Sequence, residues 1–306
     1  MTTLVTGAAG FIGSHVTRLL VEHGDTVRAL VRPTSRLDAI ADLPIDIVRG
    51  DLCDPATLPP ALSDVNRVFH VAADYRLWAR NPRAIFESNV GGTRNLLQAC
   101  RNLNLDRFVY TSSVSTVAVP AHGMLSNEAS IVNLDDMIGP YKQSKLLAER
   151  EVLGAAAEGL PIVVVNPTTP VGPGDWKPTP TGRMIVDFLH GRMFAYVKTG
   201  LNLVPVEDVA TGHLLAAERG RIGERYVLGG DNMHLKEIFD TLATISGRRA
   251  PALRVPHLAA MAVGYGSELV SWLSGREPAV PLDSVRMARY TMFVDSSKAR
   301  RELAFA

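Results

Sequence analysis

Three features of the 306-residue sequence predict a doubly wound α/β fold. Short apolar runs rich in β-branched residues alternate with longer helical patterns through residue 165. A glycine-rich turn follows the first run, and after Asn166 the composition shifts to proline and glycine. Such alternation implies a parallel sheet covered by helices on both faces, with right-handed crossovers. A smaller C-terminal α/β domain would then lie over the sheet's carboxyl edge.

The candidate strands are TTLVT (2–6), TVRALV (26–31), IDIV (45–48), RVFHV (67–71), RFVYTS (107–112) and PIVVV (161–165). Stretches such as SHVTRLLVEHG and NVGGTRNLLQACRNLN separate them, with apolar residues recurring at three- and four-residue intervals. NPTTPVGPGDWKPTPTG holds five prolines and three glycines in seventeen residues and reads as a long loop. Beyond it, helical pieces over 206–219 and 234–246 alternate with short strands such as RYVLGG. No internal repeat or low-complexity tract appears.

Composition excludes several classes. With 46% hydrophobic and 21% charged residues the chain is an ordinary globular protein, and a net charge of +1 gives no general reason to expect nucleic acid or an anionic membrane as partner. Cys53 and Cys100 are too few and too isolated for a disulfide framework or a zinc site, so a reducing compartment and no metal are expected. The N-terminus enters an apolar strand without a basic region, and the apolar stretch 256–275 is broken by Gly264, Gly266 and Glu268. Neither a signal peptide nor a transmembrane segment is expected, and the cytoplasm is the default location.

TGAAGFIG places Gly7, Gly10 and Gly13 between the first strand and the first helix, one residue looser than the usual dinucleotide fingerprint. The demands are a tight turn, close approach of backbone to pyrophosphate, and helix N–H groups facing the phosphates. A glycine-rich turn without ligand is the alternative. Gly7, Ala9, Gly10, Phe11, Ile12 and Gly13 are the candidate phosphate contacts. At the end of the second strand, where an NAD site usually carries an acid, ALVRPTSR supplies Arg32 and Arg36. Arginine there favours the 2′-phosphate of NADP(H), with NAD(H) as the alternative.

In IGPYKQSK, Tyr141 and Lys145 share one helix face. A neighbouring ammonium lowers a phenol's pKa, which would suit Tyr141 to proton transfer and Lys145 to ribose binding. RFVYTSSVS ends a strand in three hydroxyls, one of which could hold a carbonyl oxygen. Taken singly, each has a bland reading as a cap or a solvated pair.

Jointly, TGAAGFIG, GDLCDP (50–55), HVAAD (70–74), NVGGTRNLL (89–97), YTSSVS, YKQSK and VEDVATGH (206–213) resemble the extended short-chain dehydrogenases/reductases. Within these the chain is similar to the NAD-dependent epimerase/dehydratase group that includes dihydroflavonol 4-reductases. Longer segments, among them HVAADYRLWAR and LDDMIGPYKQSKLLAE, resemble hopanoid-associated sugar epimerases. The resemblance implies a Rossmann domain over 1–165 and a substrate-binding domain over 166–306, some of whose segments return to the sheet. It implies Tyr141 as acid/base, Lys145 as its activator and Ser113 as the ligand of the reacting oxygen. Asn89 would support the lysine. Asp51 and Leu52 would flank adenine, Ala72 and Ala73 the cofactor's middle, and Pro167, Thr168 and Thr169 the nicotinamide. The chain stops at RRELAFA, where relatives of this type continue into another helix, so an incomplete C-terminus is expected.

Thr169, Pro170 and Val171 replace the asparagine and aromatic that many nucleotide-sugar enzymes carry before GP, and Pro205 stands where they place histidine. Those departures favour an NADP(H)-dependent ketone reductase. A sugar epimerase or dehydratase and a non-catalytic dinucleotide-binding module are the alternatives. The partner expected is a small carbonyl or hydroxyl compound, lipophilic or a sugar, and a homodimer is compatible with the reading. The apolar stretch 256–273 and DWKPTPTGRMIVDF are expected to roof the substrate cleft.

Overall fold

A computed structural model describes residues 1–117 and 125–306. Its main sheet takes strands β1 (Thr2–Thr6), β2 (Thr26–Val31), β3 (Asp46–Arg49), β4 (Arg67–His70), β5 (Arg107–Thr111) and β6 (Ile162–Pro167) from the first half of the chain. The others are β7 (Thr169–Val171), β8 (Ala195–Tyr196), β9 (Gly200–Pro205), β10 (Arg225–Leu228), β11 (Asp231–His234) and β12 (Leu253–Arg254). Seven strands pair in the order β10-β6-β5-β4-β1-β2-β3, all parallel. The order reverses between β1 and β4, which opens a crevice at their carboxyl ends.

Period-two alternation along the central strands feeds two cores. Ile162 and Val164 of β6 pack with Leu4, Phe108 and Tyr110 on one face, while Val163 and Val165 pack with Val5 and Val109 on the other. Each fully buried Val or Leu contributes about 1.5–3 kcal/mol, so a strand apolar on both sides is strongly held in register. Helices Gly92–Cys100 and Gly139–Ala157 cover the first face; Phe11–Glu22, Val206–Arg219 and Ser297–Leu303 cover the second. A third core joins Pro180–Leu189 to Leu235–Ser246, where the Phe188 and Phe239 rings stack at 5.7 Å.

The six strands expected from sequence are present, two with the expected ends and the other four with ends shifted by one or two residues. One reading needs correction. The proline-rich segment after Asn166 is not one continuous loop: β6 runs on to Pro167, β7 pairs parallel with β9, and a helix begins at Pro180. RYVLGG supplies β10, which extends the main sheet beside β6. Proline is tolerated in β7 because that strand is three residues long and pairs only with β9 among the described residues.

Candidate active site

The glycine turn fits a dinucleotide by steric demand. Gly7 has φ +71°, and a Cβ there would lie 2.7 Å from the Ala72 backbone. A Cβ on Gly13 would lie 2.0 Å from the Gly7 carbonyl oxygen. The helix Phe11–Glu22 starts from Gly10 with no side-chain cap, so its first N–H groups face the crevice without a protein acceptor from the cap residue. Backbone can therefore approach a pyrophosphate with no side chain in the way. Phe11 and Ile12 are half-buried at the start of the helix, and Ala9 is half-buried beside them.

The other expected cofactor residues sit at the same carboxyl edge. Arg32 and Arg36 are exposed just past β2, and Arg36 pairs with Asp38 at 2.9 Å. Strand register sets Arg49 opposite Val31, and its guanidinium donates to the Arg32 carbonyl at 3.0 Å. Arg49 was not anticipated, although the pairing of adjacent strand ends would have found it. Asp51 closes the turn after β3 by accepting from the Cys53 N–H at 2.9 Å. Leu52 packs against Gly92. Ala72 donates its N–H to Thr6 Oγ1 at 3.3 Å, with Ala73 exposed beyond it. Pro167 ends β6, Thr168 is tied to the Leu228 carbonyl, and Thr169 opens β7.

Tyr141 and Ser113 meet. Ser113 follows β5, Tyr141 lies in the first turn of its helix, and the serine side chain is near enough to the phenol to pull its pKa down. The Ser113 hydroxyl oxygen also accepts from the Ser115 N–H at 3.1 Å, which fixes its direction. Protein packed around Tyr141 pushes its phenol above the ordinary value, and the serine offsets this only in part.

Here the expectation for the lysine needs correction. Lys145 does not lower the tyrosine's pKa in this arrangement. Its Nζ donates to the Tyr110 hydroxyl at 3.0 Å and the Thr111 carbonyl at 2.7 Å, and lies 4.5 Å from the Tyr110 ring centroid. Burial pushes this ammonium down to about 7, while the Glu149 carboxylate pulls the other way. Tyr110 was missed as a partner. Alternation along β5 turns it to the face covered by Gly139–Ala157, and that signal was in the sequence.

Asn89 is buried but reaches other groups than expected. Its Oδ1 accepts from the Asp74 N–H at 2.7 Å, and its Nδ2 donates to the Asp74 carbonyl and the Ser144 hydroxyl, each at 2.9 Å. It therefore ties the segment after β4 to the residue preceding Lys145. The asparagine sits in a π-helical turn, Glu87–Gly91, whose widened backbone turns it inward.

The roof differs from expectation as well. Pro170, Val171, Gly172, Ile185 and Val186 line a small cavity between β7 and the helix Pro180–Leu189. The helix His257–Ser274 instead points most of its large apolar side chains outward. Among the described residues no cluster of three or more His, Cys, Asp or Glu could hold a metal, and no helix is long and apolar enough to cross a membrane.

Residues 3–229 match the family model described as "NAD dependent epimerase/dehydratase family". The chain is 47% identical over 303 residues to a Synechocystis sp. protein named as a dihydroflavonol 4-reductase, covering 98% of this chain and 88% of that one. It is 35% identical over 305 residues to "Sterol demethylase protein B" of Methylococcus capsulatus, covering 99% and 93%. The crystal structure of gox2253 superposes with a TM-score of 0.89 at 47% identity, covering 100% of this chain and 93% of that one. A dinucleotide turn at the head of a seven-stranded parallel sheet, in a sequence matched over most of its length, makes this chain an NAD(P)-dependent enzyme of the NAD-dependent epimerase/dehydratase family, within the extended short-chain dehydrogenases/reductases.

Proposed function

We propose that the protein is an NADP(H)-dependent ketone reductase in which Tyr141 donates the proton. The observation that carries this reading is the Tyr141 phenol set beside Ser113 and held in its neutral form by the protein packed around it. A reductase needs a loaded acid beside the carbonyl oxygen, and burial keeps this tyrosine loaded well above neutral pH. Ser113, aligned by Ser115, donates its hydroxyl proton toward the same oxygen and stabilises the charge that develops there. The bound nicotinamide would supply the hydride.

Lys145 acts behind the tyrosine. Held by Tyr110 and Thr111, it is placed to bind a ribose hydroxyl. Asn89 holds the segment that carries Asp74 against the same helix.

Arg32, Arg36 and the exposed Arg49 crowd the end of β2, which favours a 2′-phosphate over two free ribose hydroxyls. NADPH is expected to bind at least tenfold more tightly than NADH, with the two affinities converging in Arg32→Ala. The substrate expected is a small ketone with an apolar body, given the Pro170, Val171, Ile185 and Val186 lining.

The family description supports a second reading, an epimerase or dehydratase that keeps its NAD. One experiment separates them: assay the nucleotide that co-purifies and its fate during turnover. Stoichiometric NADPH consumption supports the reductase. Retained NAD with no net consumption would overturn it. Full activity in Tyr141→Phe would sink the proton-donor role in both, and dinucleotide binding without any turnover would leave a binding module.

A further inference from the structure

The helix His257–Ser274 is inside out. Its polar residues turn toward the protein: Ser267 Oγ accepts from the Val280 N–H at 2.9 Å and Glu268 Oε1 from the Leu282 N–H at 3.3 Å. Ser271 donates to the Arg276 carbonyl at 2.5 Å, and His257 bonds the Val285 carbonyl at 3.0 Å. Leu258, Val263, Tyr265, Leu269, Val270, Trp272 and Leu273 all face outward, Leu258 at 84% exposure and Trp272 at 80%. At about 100° per residue these positions occupy one continuous half of the helix. Single exposed apolar side chains need no explanation, but seven on one face do.

Charge decides among the surfaces that could cover this face. No acidic residue occurs between Arg248 and Glu268, and Arg248, Arg249 and Arg254 are exposed in the chain leading into the helix. At the other end Arg276 is exposed and the Arg80 guanidinium packs against Gly275, with Glu277 as the exposed acid there. In a two-fold pairing of this face with a second copy, parallel helices would set like ends together and antiparallel helices would set Arg254 near Arg276, so both orientations bring arginine to arginine. An anionic phosphate layer over an apolar interior complements both the arginine-flanked ends and the apolar centre. Trp272 and Tyr265 suit the boundary between the two. The helix is about 27 Å long and carries Glu268, so it fits lying in the plane of a bilayer and not across it.

We propose that the outward face of His257–Ser274 docks on the surface of an anionic phospholipid bilayer. Exposed Leu253, paired in register with Ala195, and exposed Phe194 beside it extend the apolar surface toward the helix N-terminus. At the C-terminal end, Arg80 belongs to the segment after β4 that also carries Tyr75, whose hydroxyl donates to the Lys177 carbonyl at 2.9 Å on the cleft rim. Docking would therefore bring the mouth of the crevice to the lipid, whichever carbonyl or hydroxyl the site accepts.

Flotation with vesicles of equimolar phosphatidylcholine and phosphatidylglycerol tests this. The full chain is expected to float with the mixed vesicles, to bind pure phosphatidylcholine less well, and to detach in high salt. Leu269→Glu with Trp272→Glu should cut the bound fraction by roughly tenfold or more while turnover of a water-soluble substrate is unchanged. Arg254→Glu with Arg276→Glu, which spares the apolar face, should abolish the preference for the anionic lipid. Protein remaining lipid-free, or binding unaffected by both pairs, overturns the proposal. So does a dimer in sedimentation velocity that Leu269→Glu with Trp272→Glu converts to monomer, since a second copy would then be the cover.

Discussion

The helices Gly139–Ala157 and His257–Ser274 both turn polar side chains toward the protein, and they differ in what lies on the other side. In the first, buried Ser144, Lys145 and Glu149 face groups that answer each of them: Asn89 for the serine, Tyr110 and Thr111 for the lysine, and Thr116, Asn166 and Arg225 for the glutamate. Their burial costs free energy that ordinary packing would avoid, and the lowered pKa of Lys145 records that cost. In the second, inward polar groups answer only local backbone, while the apolar face is left to the surroundings. Inward polarity at the sheet edge signals chemistry. Inward polarity on the outlying helix signals apolar surroundings.

Substitutions can break this contrast in graded steps. Tyr141→Phe removes the one proton donor proposed and should lower turnover by about 10²–10⁴-fold with cofactor affinity intact, as single-turnover and binding measurements would reveal. Phe239→Ala empties the stacked pair of the third core and should cost about 3–5 kcal/mol in denaturant melts. Gly13→Ala forces a Cβ against the Gly7 carbonyl, at a strain of about 1–3 kcal/mol. It should weaken NADPH binding about five- to hundredfold by fluorescence titration. Leu273→Ser, by contrast, should change stability by less than about 0.5 kcal/mol, because that side chain is already 71% exposed.

A pH experiment sharpens the same point. Lys145 in the folded cofactor-free protein titrates near 7, below its ordinary 10.5. Below pH 7 both folded and unfolded forms carry the charge, and the folded form bears the full cost of burying it. As pH rises from 7 toward 10.5 the folded form sheds the proton first, so that cost is relieved. Wild type should therefore gain melting temperature relative to Lys145→Met over this window. A difference that stays flat with pH would mean the lysine is not buried as described.

Much of the fold was legible because β-branched runs and glycine turns act locally: TTLVT, TVRALV and TGAAGFIG specify strand, strand and turn from their own chemistry. The positions of Gly7, Gly13, Ser113 and Tyr141 could be read for the same reason. What could not be read depended on distant partners. Nothing near Asn89 in the chain announces Asp74 and Ser144. The stretch from 257 to 274 misled because its apolar content is that of a core helix, and which half of it meets the protein is settled only by packing against Leu282 and Val285.

The strand β10 carries a consequence for how this protein can be divided. It comes from the C-terminal half of the chain yet forms the edge of the main sheet, with Tyr226, Val227 and Leu228 fully buried. Arg225 within it anchors Glu149 from the Tyr141 helix at 3.0 Å. Cutting the chain after β6 would strip that strand's outer edge and take the paired arginine from a buried carboxylate one turn from Lys145. The two halves are thus laced together, and the C-terminal half cannot be exchanged as a cassette without unpicking the sheet.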